Sequence, residues 1–429
     1  MTWSLLRFGL IPYAALIVGC TVDVPRERGQ GQFSVRDSAG TLIAESSAPA
    51  WTPETSWTIS TDPVLIIGSR DADEPGTDLG SIQGAVRFDD GRIVVAEGIS
   101  REIRVFDSEG RLLFAAGGAG QGPGEFRSLS LVGVIQGDSI VAADYQASKL
   151  VVFGPDGGLG RTVRTPPLVW DDLLGVFVAG SLQDGSFLIS HSPQTSDLPP
   201  GRSVVEQQYH LFDPGGNHLG EFARLNHHEA NNQGEGRGSV TFGATGYVDI
   251  DPTGLWYGFS KVYSLEHISV EGVDRIIRIP VSQEPTPKRL KDLVREFSAS
   301  TMDQNVPSNA PPDVRARMEE VFKARLDEMA FADSMPLFGG LVVARDGHLW
   351  VQGYPSAEDL LSPEWDWNRR RRVPRWTVFG PEGRWLGEVA MPQELQVYEI
   401  GADYVLGIRT DELDVPYVVL HRIEKPRGG

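Results

Sequence analysis

A chain of 429 residues can make two or three ordinary domains, or one domain built from repeats. Its 49 glycines and 29 prolines suit many short strands joined by turns, and 40% hydrophobic with 23% charged residues are the proportions of a folded body. A formal net charge of −19 repels phosphate backbones and anionic headgroups, which sets nucleic acid aside as a partner.

Residues 1–19 carry one charge, Arg7, ahead of an apolar stretch from Phe8 to Val18 that is too short to span a bilayer. This is the pattern of a secretion signal. It ends Ile17-Val18-Gly19-Cys20, which resembles the lipobox of bacterial lipoproteins. The resemblance implies cleavage before Cys20 and lipid attachment to it. The other reading is a lone buried thiol after an ordinary signal peptide. Thr21 is compatible with outer-membrane sorting, so the expected location is exported and lipid-anchored at the outer membrane, facing the periplasm or the cell surface. Cys20 is the single cysteine, so no disulfide can form within the chain. Loss of Arg7 with the signal takes the net charge from −19 to −20.

Residues 21–32 are charged and aperiodic, as in a tether. Phe33–Ser46 predicts a hairpin turning at Ser38-Ala39-Gly40, and residues 20–50 are assigned to the lipidated cysteine, tether and hairpin together. A Pro-containing connector and an extended segment, Trp57–Ile67, follow. The body, 51–429, is organised around one phrase, clearest from Asp89 to Leu113: an Asp-Gly turn, an apolar run (Ile93–Ala96), an alternating strand through Ile103 and Val105, and a second turn at Ser108-Glu109-Gly110. It recurs after about fifty residues, the period of a propeller blade. The second strands align at Ile93–Glu97, Ile140–Asp144, Phe187–Ser190, Leu255–Phe259, Leu349–Gly353 and Tyr404–Ile408. Five repeats have a fourth strand and the sixth does not. The expected fold is therefore all-β, a six-bladed β-propeller whose missing outer strand is supplied by Trp57–Ile67, closing the ring and hiding its edges. A pair of β-sandwiches would not explain the four-strand count or the incomplete last unit.

Residues 286–332, between blades four and five, have helical periodicity in two parts. Thr286-Pro287 predicts an N-cap and first position, with Leu290, Leu293, Val294 and Phe297 on one stripe. A second helix from Pro312 presents Val314, Met318, Val321, Leu326 and Met329. The pair is a hairpin covering a propeller face, or a lid or docking arm.

In such a repeat, the turns between strands one and two and between three and four share one face. Here they are uniformly tight. Every long segment belongs to the other set: Gly117–Ser128, Thr165–Gly175, His191–Gln208, Leu225–Gly243, the helical insertion and Tyr354–Arg375. Long loops gathered on one rigid face are where binding residues concentrate. The link Gly117-Gly118-Ala119-Gly120-Gln121-Gly122-Pro123-Gly124-Glu125-Phe126 is similar to the G-x-G-x-G-P-G-E-F connector of bacterial six-bladed β-propeller proteins related to NHL-repeat proteins. The resemblance extends through the blade phrases to Gly401–Gly407 and Asp411–Asp414. It implies the fold and little chemistry.

The link lacks a Gly-Lys-Ser/Thr ending and joins strands, so its glycines serve φ > 0 and close packing rather than phosphate binding. His227-His228-Glu229 beside Asn231-Asn232 is either part of a metal site or a solvated polar loop. Trp365, Trp367, Arg369 and Arg370, with Arg371 and Arg372, form a basic and aromatic patch for an anionic glycan or acidic segment, unless the arginines pair with the protein's own carboxylates. Trp170 and Asp171 on the same face suit a sugar, unless Trp170 is a packing anchor. No nucleophile signature is present. Six-bladed propellers include lactonases that hold a divalent cation at the tunnel, and Asp249 and Glu399 on first strands are the candidates here, without a matching Asn. The favoured function is a lipid-anchored binding or scaffold module acting through the decorated face. Its expected partners are the membrane through the lipid and a protein or glycan at the loops; it is expected to be a monomer without a cofactor. The alternative is a metal-dependent lactonase or lyase with its site at the tunnel.

Overall fold

The computed structural model describes residues 33–68, 76–135, 137–167, 169–170, 173–193, 198–234, 238–301, 311–367 and 374–426. Cys20, Asp171, Arg369 and Arg370 lie outside the described residues. Among the described residues six sheets follow one another along the chain, each with an antiparallel blade at its heart. Blade one is Ile82–Arg87, Ile93–Glu97, Glu102–Phe106 and Leu112–Gly117, and blades two to six begin at Leu129, Leu173, Gly246, Phe338 and Gln396. The fold is a six-bladed β-propeller.

The second strands show why the repeat phrase is continuously apolar rather than alternating. Ile93 and Val95 point into the core shared with blade six, whereas Val94 and Ala96 point into the core shared with blade two. One apolar cluster fills each of the six junctions between blades, so both faces of each sheet are buried. An acceptor at or just after the end of a second strand then holds neighbouring backbone. Glu97 takes the N–H groups of Ser81 (3.0 Å) and Ser100 (2.6 Å). Asp144 takes those of Arg127 (2.7 Å) and Ala147 (3.0 Å), and Ser260 Oγ takes that of Thr245 (2.9 Å).

The ring closes as the incomplete sixth repeat requires. Leu65–Ile67 runs antiparallel to Pro416–Glu424, pairing Ile67 with Val418 and Leu65 with Leu420, while Thr58–Ile59 pairs with the far end of the same strand. A clasp forms beside it: Trp57 lies 4.9 Å from Trp51 and 5.0 Å from His348, with Lys425 Nζ 4.0 Å above its ring.

Three features go beyond the repeat. The hairpin Phe33–Ser38 and Thr41–Ser46 turns through Ala39 (φ +55°) and Gly40 (φ +92°), a two-residue turn with both central residues left-handed. Its second strand lies parallel to Gly272–Arg278, so the hairpin extends the outer edge of blade four. In blade three, Arg202–Phe212 and His218–Asn231 form a long ribbon where two loops are expected from sequence. The run Ser203-Val204-Val205-Glu206-Gln207 lacks apolar alternation although its burial alternates, because Val204 is exposed and Gln207 is buried.

The insertion contains helices at Lys288–Ser300 and Pro312–Asp327. Its first cap differs from expectation: the N-cap is Pro287, without a side-chain cap bond, because Thr286 is drawn into an extended pairing, its N–H donating to Asp333 O at 2.9 Å. The first helix buries Leu290 and Val294 in a separate apolar cluster with Phe242, Phe331 and Leu360. The second helix buries none of its residues, and Val314 and Val321 of its expected apolar face are exposed. Covering is thus the work of the first helix alone.

Candidate functional site

Strand order gathers the long connections on one end of the propeller. At the other end the turns are short and of Asx type: Asp107 Oδ1 accepts from Glu109 N–H (3.0 Å) and Arg111 N–H (2.8 Å), and Gly110 supplies φ +84°. On the decorated end the Gly-rich link is occupied with its own architecture. Glu125 accepts from Gly122 N–H (2.8 Å), Lys149 Nζ donates to Glu125 O (2.7 Å), and Phe126 is driven fully into the junction of blades one and two. A Cβ on Gly120 would lie 2.0 Å from a Glu125 carboxylate oxygen, so a larger residue there would push aside the carboxylate that accepts from Gly122 N–H.

The apolar cluster under the insertion joins the decorated loops of blades three, four and five. Thr241 N–H donates to Ala330 O (2.8 Å), Ala332 N–H donates to Thr241 O (2.9 Å), and Arg202 Nη2 donates to Phe331 O (2.7 Å). Between these pieces lies a cavity of about 340 Å3. Arg202, Ser203 and Glu229 of the ribbon line it with Lys261 of blade four and Asp333 and Ser334 of the insertion's return. Lys261 Nζ sits 2.7 Å from Glu229 Oε1, and Glu229 Oε2 accepts from Ala244 N–H at 3.2 Å. Ser203 Oγ is buried with no hydrogen-bond partner among the described residues. Sequence reading missed this group. Its members come from four separate segments, and Arg202 and Glu229 lie on a ribbon that read as loop.

The residues expected from sequence are distributed differently. Trp365 and Trp367 come together, edge to face at 6.3 Å, but pack toward the first helix, with Trp367 5.9 Å from Phe297. They line the apolar cluster rather than the cavity. Trp170 belongs to a two-residue strand paired with Leu173–Leu174, and its partner Asp171 is not described. His227 and His228 stand on the ribbon, in strand and not in a loop, with rings 5.0 Å apart; burial lowers the pKa of both. Among the described residues, no group of three or more His, Cys, Asp or Glu is placed to hold a metal ion.

Asp249 and Glu399 are each engaged in joining blades. Asp249 Oδ2 accepts from Val343 N–H of blade five at 2.7 Å. Glu399 Oε2 accepts from Arg87 N–H of blade one (3.3 Å) and pairs with Arg345 Nη2 of blade five (3.1 Å), while Tyr404 donates its hydroxyl to Oε1. Burial pushes Asp249 up to about 6, reinforced by the charge of Asp251 and opposed by the Val343 bond. A carboxyl with a raised folded pKa contributes stability below its unfolded value, near 3.8, and loses that contribution as pH rises through about 6. The penalty at neutral pH has an upper bound of about 3 kcal/mol. Asn keeps the acceptor for Val343 without the charge but cannot keep both acceptor oxygens. Asp249→Asn is therefore expected to stabilise by about 1 kcal/mol at pH 7.5 and to lose that gain at pH 4, measured by thermal melting. Destabilisation that is larger at pH 7.5 than at pH 4 would mean that the ionised carboxylate is needed.

Comparison with known proteins agrees with the sheet count. Residues 77–171, covering blades one and two, match the family model DUF5128, described as a 6-bladed beta-propeller. No curated protein matches the chain. Solved structures similar to it include a protein of Bacteroides fragilis described as exported, at 13% identity and a TM-score of 0.46, covering 89% of this chain and 100% of that one. A member of the duf4221 family from Bacteroides vulgatus follows at 10% and 0.49, covering 86% and 99%. A gluconolactonase of Xanthomonas campestris matches at 10% and 0.35, covering 87% and 99%.

Proposed function

We propose that this propeller is an exported, lipid-anchored binding module whose ligand sits on the decorated face. The observation that carries this reading is the coincidence of two independent features: all the long connections fall at one end, and there they enclose a charged cavity braced by its own apolar cluster. A rigid ring carrying long loops suits recognition, and it needs no catalytic group to do so. The signal-like segment ending at Cys20 supports the anchor.

The test uses the soluble body from Gly31, a compact unit. Its melting temperature would be followed against a panel of amino acids, dipeptides, neutral sugars and uronic-acid oligosaccharides. At least one probe is expected to raise it, with the rise abolished by Lys261→Ala and retained in Asp107→Ala on the opposite face. A rise lost only in Asp107→Ala, or no rise with any probe at millimolar concentration, would defeat the decorated-face reading for small ligands. Separately, Cys20→Ala in the full chain is expected to move the protein from the membrane to the soluble fraction of a bacterial host.

A further inference from the structure

The chemistry of the cavity narrows what it can hold. Among the described residues that line it, none is aromatic, so a sugar ring has no platform on which to stack. Charge dominates instead. Two cations, Arg202 and Lys261, and two anions, Glu229 and Asp333, share one cavity of about 340 Å3. Glu229 is the best buried of the Lys–Glu pair, its side chain 17% exposed against 55% for Lys261, so the carboxylate is held in the wall while the ammonium can swing. Asp333, a second acidic residue, lines the same space, as does Ser203, whose hydroxyl is buried in the wall with no partner among the described residues. Between the charged groups, Val204, Val240, Ala244 and Ala332 add small apolar surface.

A ligand of one sign would find half of these charges opposed. An anion would also meet the field of a chain with net charge −19. A molecule with one ammonium and one carboxylate meets neither difficulty. Its ammonium can take the place of Lys261 against Glu229, and its carboxylate can be shared by Arg202 and the released Lys261, each contact a charge-assisted hydrogen bond. The volume falls at the lower end of small-molecule sites, with room for two small residues but not for a long peptide.

We infer that the cavity binds a zwitterionic amino acid or very short peptide with small apolar side chains. This inference rests on the decorated-face binding reading and names its ligand class. The probes are L-alanyl-L-alanine, L-alanine, the dipeptide blocked as N-acetyl-alanyl-alanine amide, and N-acetylglucosamine, titrated calorimetrically into the body from Gly31. Alanyl-alanine or alanine is expected to bind, the blocked compound at least about tenfold more weakly, and N-acetylglucosamine not at all. Preference for the dipeptide would identify a peptide terminus, and preference for alanine a free amino acid; either supports the inference. Glu229→Gln and Lys261→Met should each cost at least about tenfold in affinity, with circular dichroism unchanged. Equal binding of the blocked and free dipeptides would overturn the zwitterion reading, and this comparison on the unaltered protein does not depend on any variant folding. Binding of N-acetylglucosamine alone, lost in Lys261→Met, would overturn it too while leaving the decorated-face module standing. Failure of all four probes would overturn the inference; the wider probe panel then decides separately whether the face binds anything.

Discussion

Ile67→Asp is expected to destabilise the ring severely, whereas Ile66→Asp one residue earlier should be nearly silent. Ile67 is 1% exposed and packs in the junction of blades six and one, beside Leu79, Tyr404 and Val418. Ile66, on the same short strand, is 46% exposed because strand side chains alternate between faces. Removing a buried Ile side chain costs about 2–5 kcal/mol in lost transfer energy and cavity. A carboxylate in its place adds a desolvation penalty of several kcal/mol more, or the cost of keeping it protonated. The strand has few attachments of its own, since three residues, Leu65, Ile66 and Ile67, pair with the last strand, which Thr58–Ile59 joins separately at its far end. Losing Ile67 therefore loosens the closure itself and exposes the edge of the last strand, Pro416–Glu424, in blade six. Denaturant titration should show a loss of at least about 4 kcal/mol for Ile67→Asp and less than about 0.5 for Ile66→Asp. Comparable losses for the two would mean that backbone pairing, not the buried side chain, fastens the ring.

That closure was legible because the evidence for it is local. Each repeat carries its own turn chemistry and its own two-faced apolar strand, so a missing fourth strand after Val418–Arg422 stands out against five complete copies. The second strands observed differ from those read in the sequence by at most three residues at either end. What stayed hidden was long-range. The pairing of Thr41–Ser46 with Gly272–Arg278 joins segments more than two hundred residues apart, and nothing in a hairpin announces which edge it will cover. The ribbon of blade three escaped because residue type does not follow burial in its extension, Val204 being exposed and Gln207 buried, which erases the two-residue apolar period on which strand recognition depends. The cavity shares that limitation. Arg202, Glu229, Lys261 and Asp333 are ordinary charged residues in sequence and become a group only when two blades and an insertion meet. Trp365 and Trp367 illustrate the converse: a conspicuous pair in sequence is largely explained by packing against a helix.

The tunnel-side ion pairs make the second large prediction, for Arg345. Its Nη1 pairs with Asp89 Oδ1 at 2.8 Å and its Nη2 with Glu399 Oε2 at 3.1 Å, and it also donates to the carbonyl oxygen of Arg87. One guanidinium thus ties blade five to blades six and one. The Glu399 side chain is only 11% exposed, and its burial raises its pKa despite the opposing charge of Arg345 and the Tyr404 hydroxyl. Arg345→Met would leave that carboxylate without its cation. Breaking a buried pair this way costs about 3–5 kcal/mol, and the partial exposure of Arg345 reduces the expectation to about 3. The pH dependence carries the diagnosis. Glu399 titrates above its ordinary 4.5 in the folded protein, so its contribution to stability is present below that value and is lost as pH rises. Without Arg345 its pKa rises further, and the loss caused by the substitution should be larger at pH 7 than at pH 4. Adding Glu399→Gln should recover part of the stability at pH 7, because the amide needs no counter-charge. A loss independent of pH and unrelieved in the double variant would show that Arg345 acts through packing of its aliphatic stem. A pH-dependent loss relieved by Glu399→Gln would show that the charge of this carboxylate is balanced within the ring itself, by a guanidinium from the neighbouring blade.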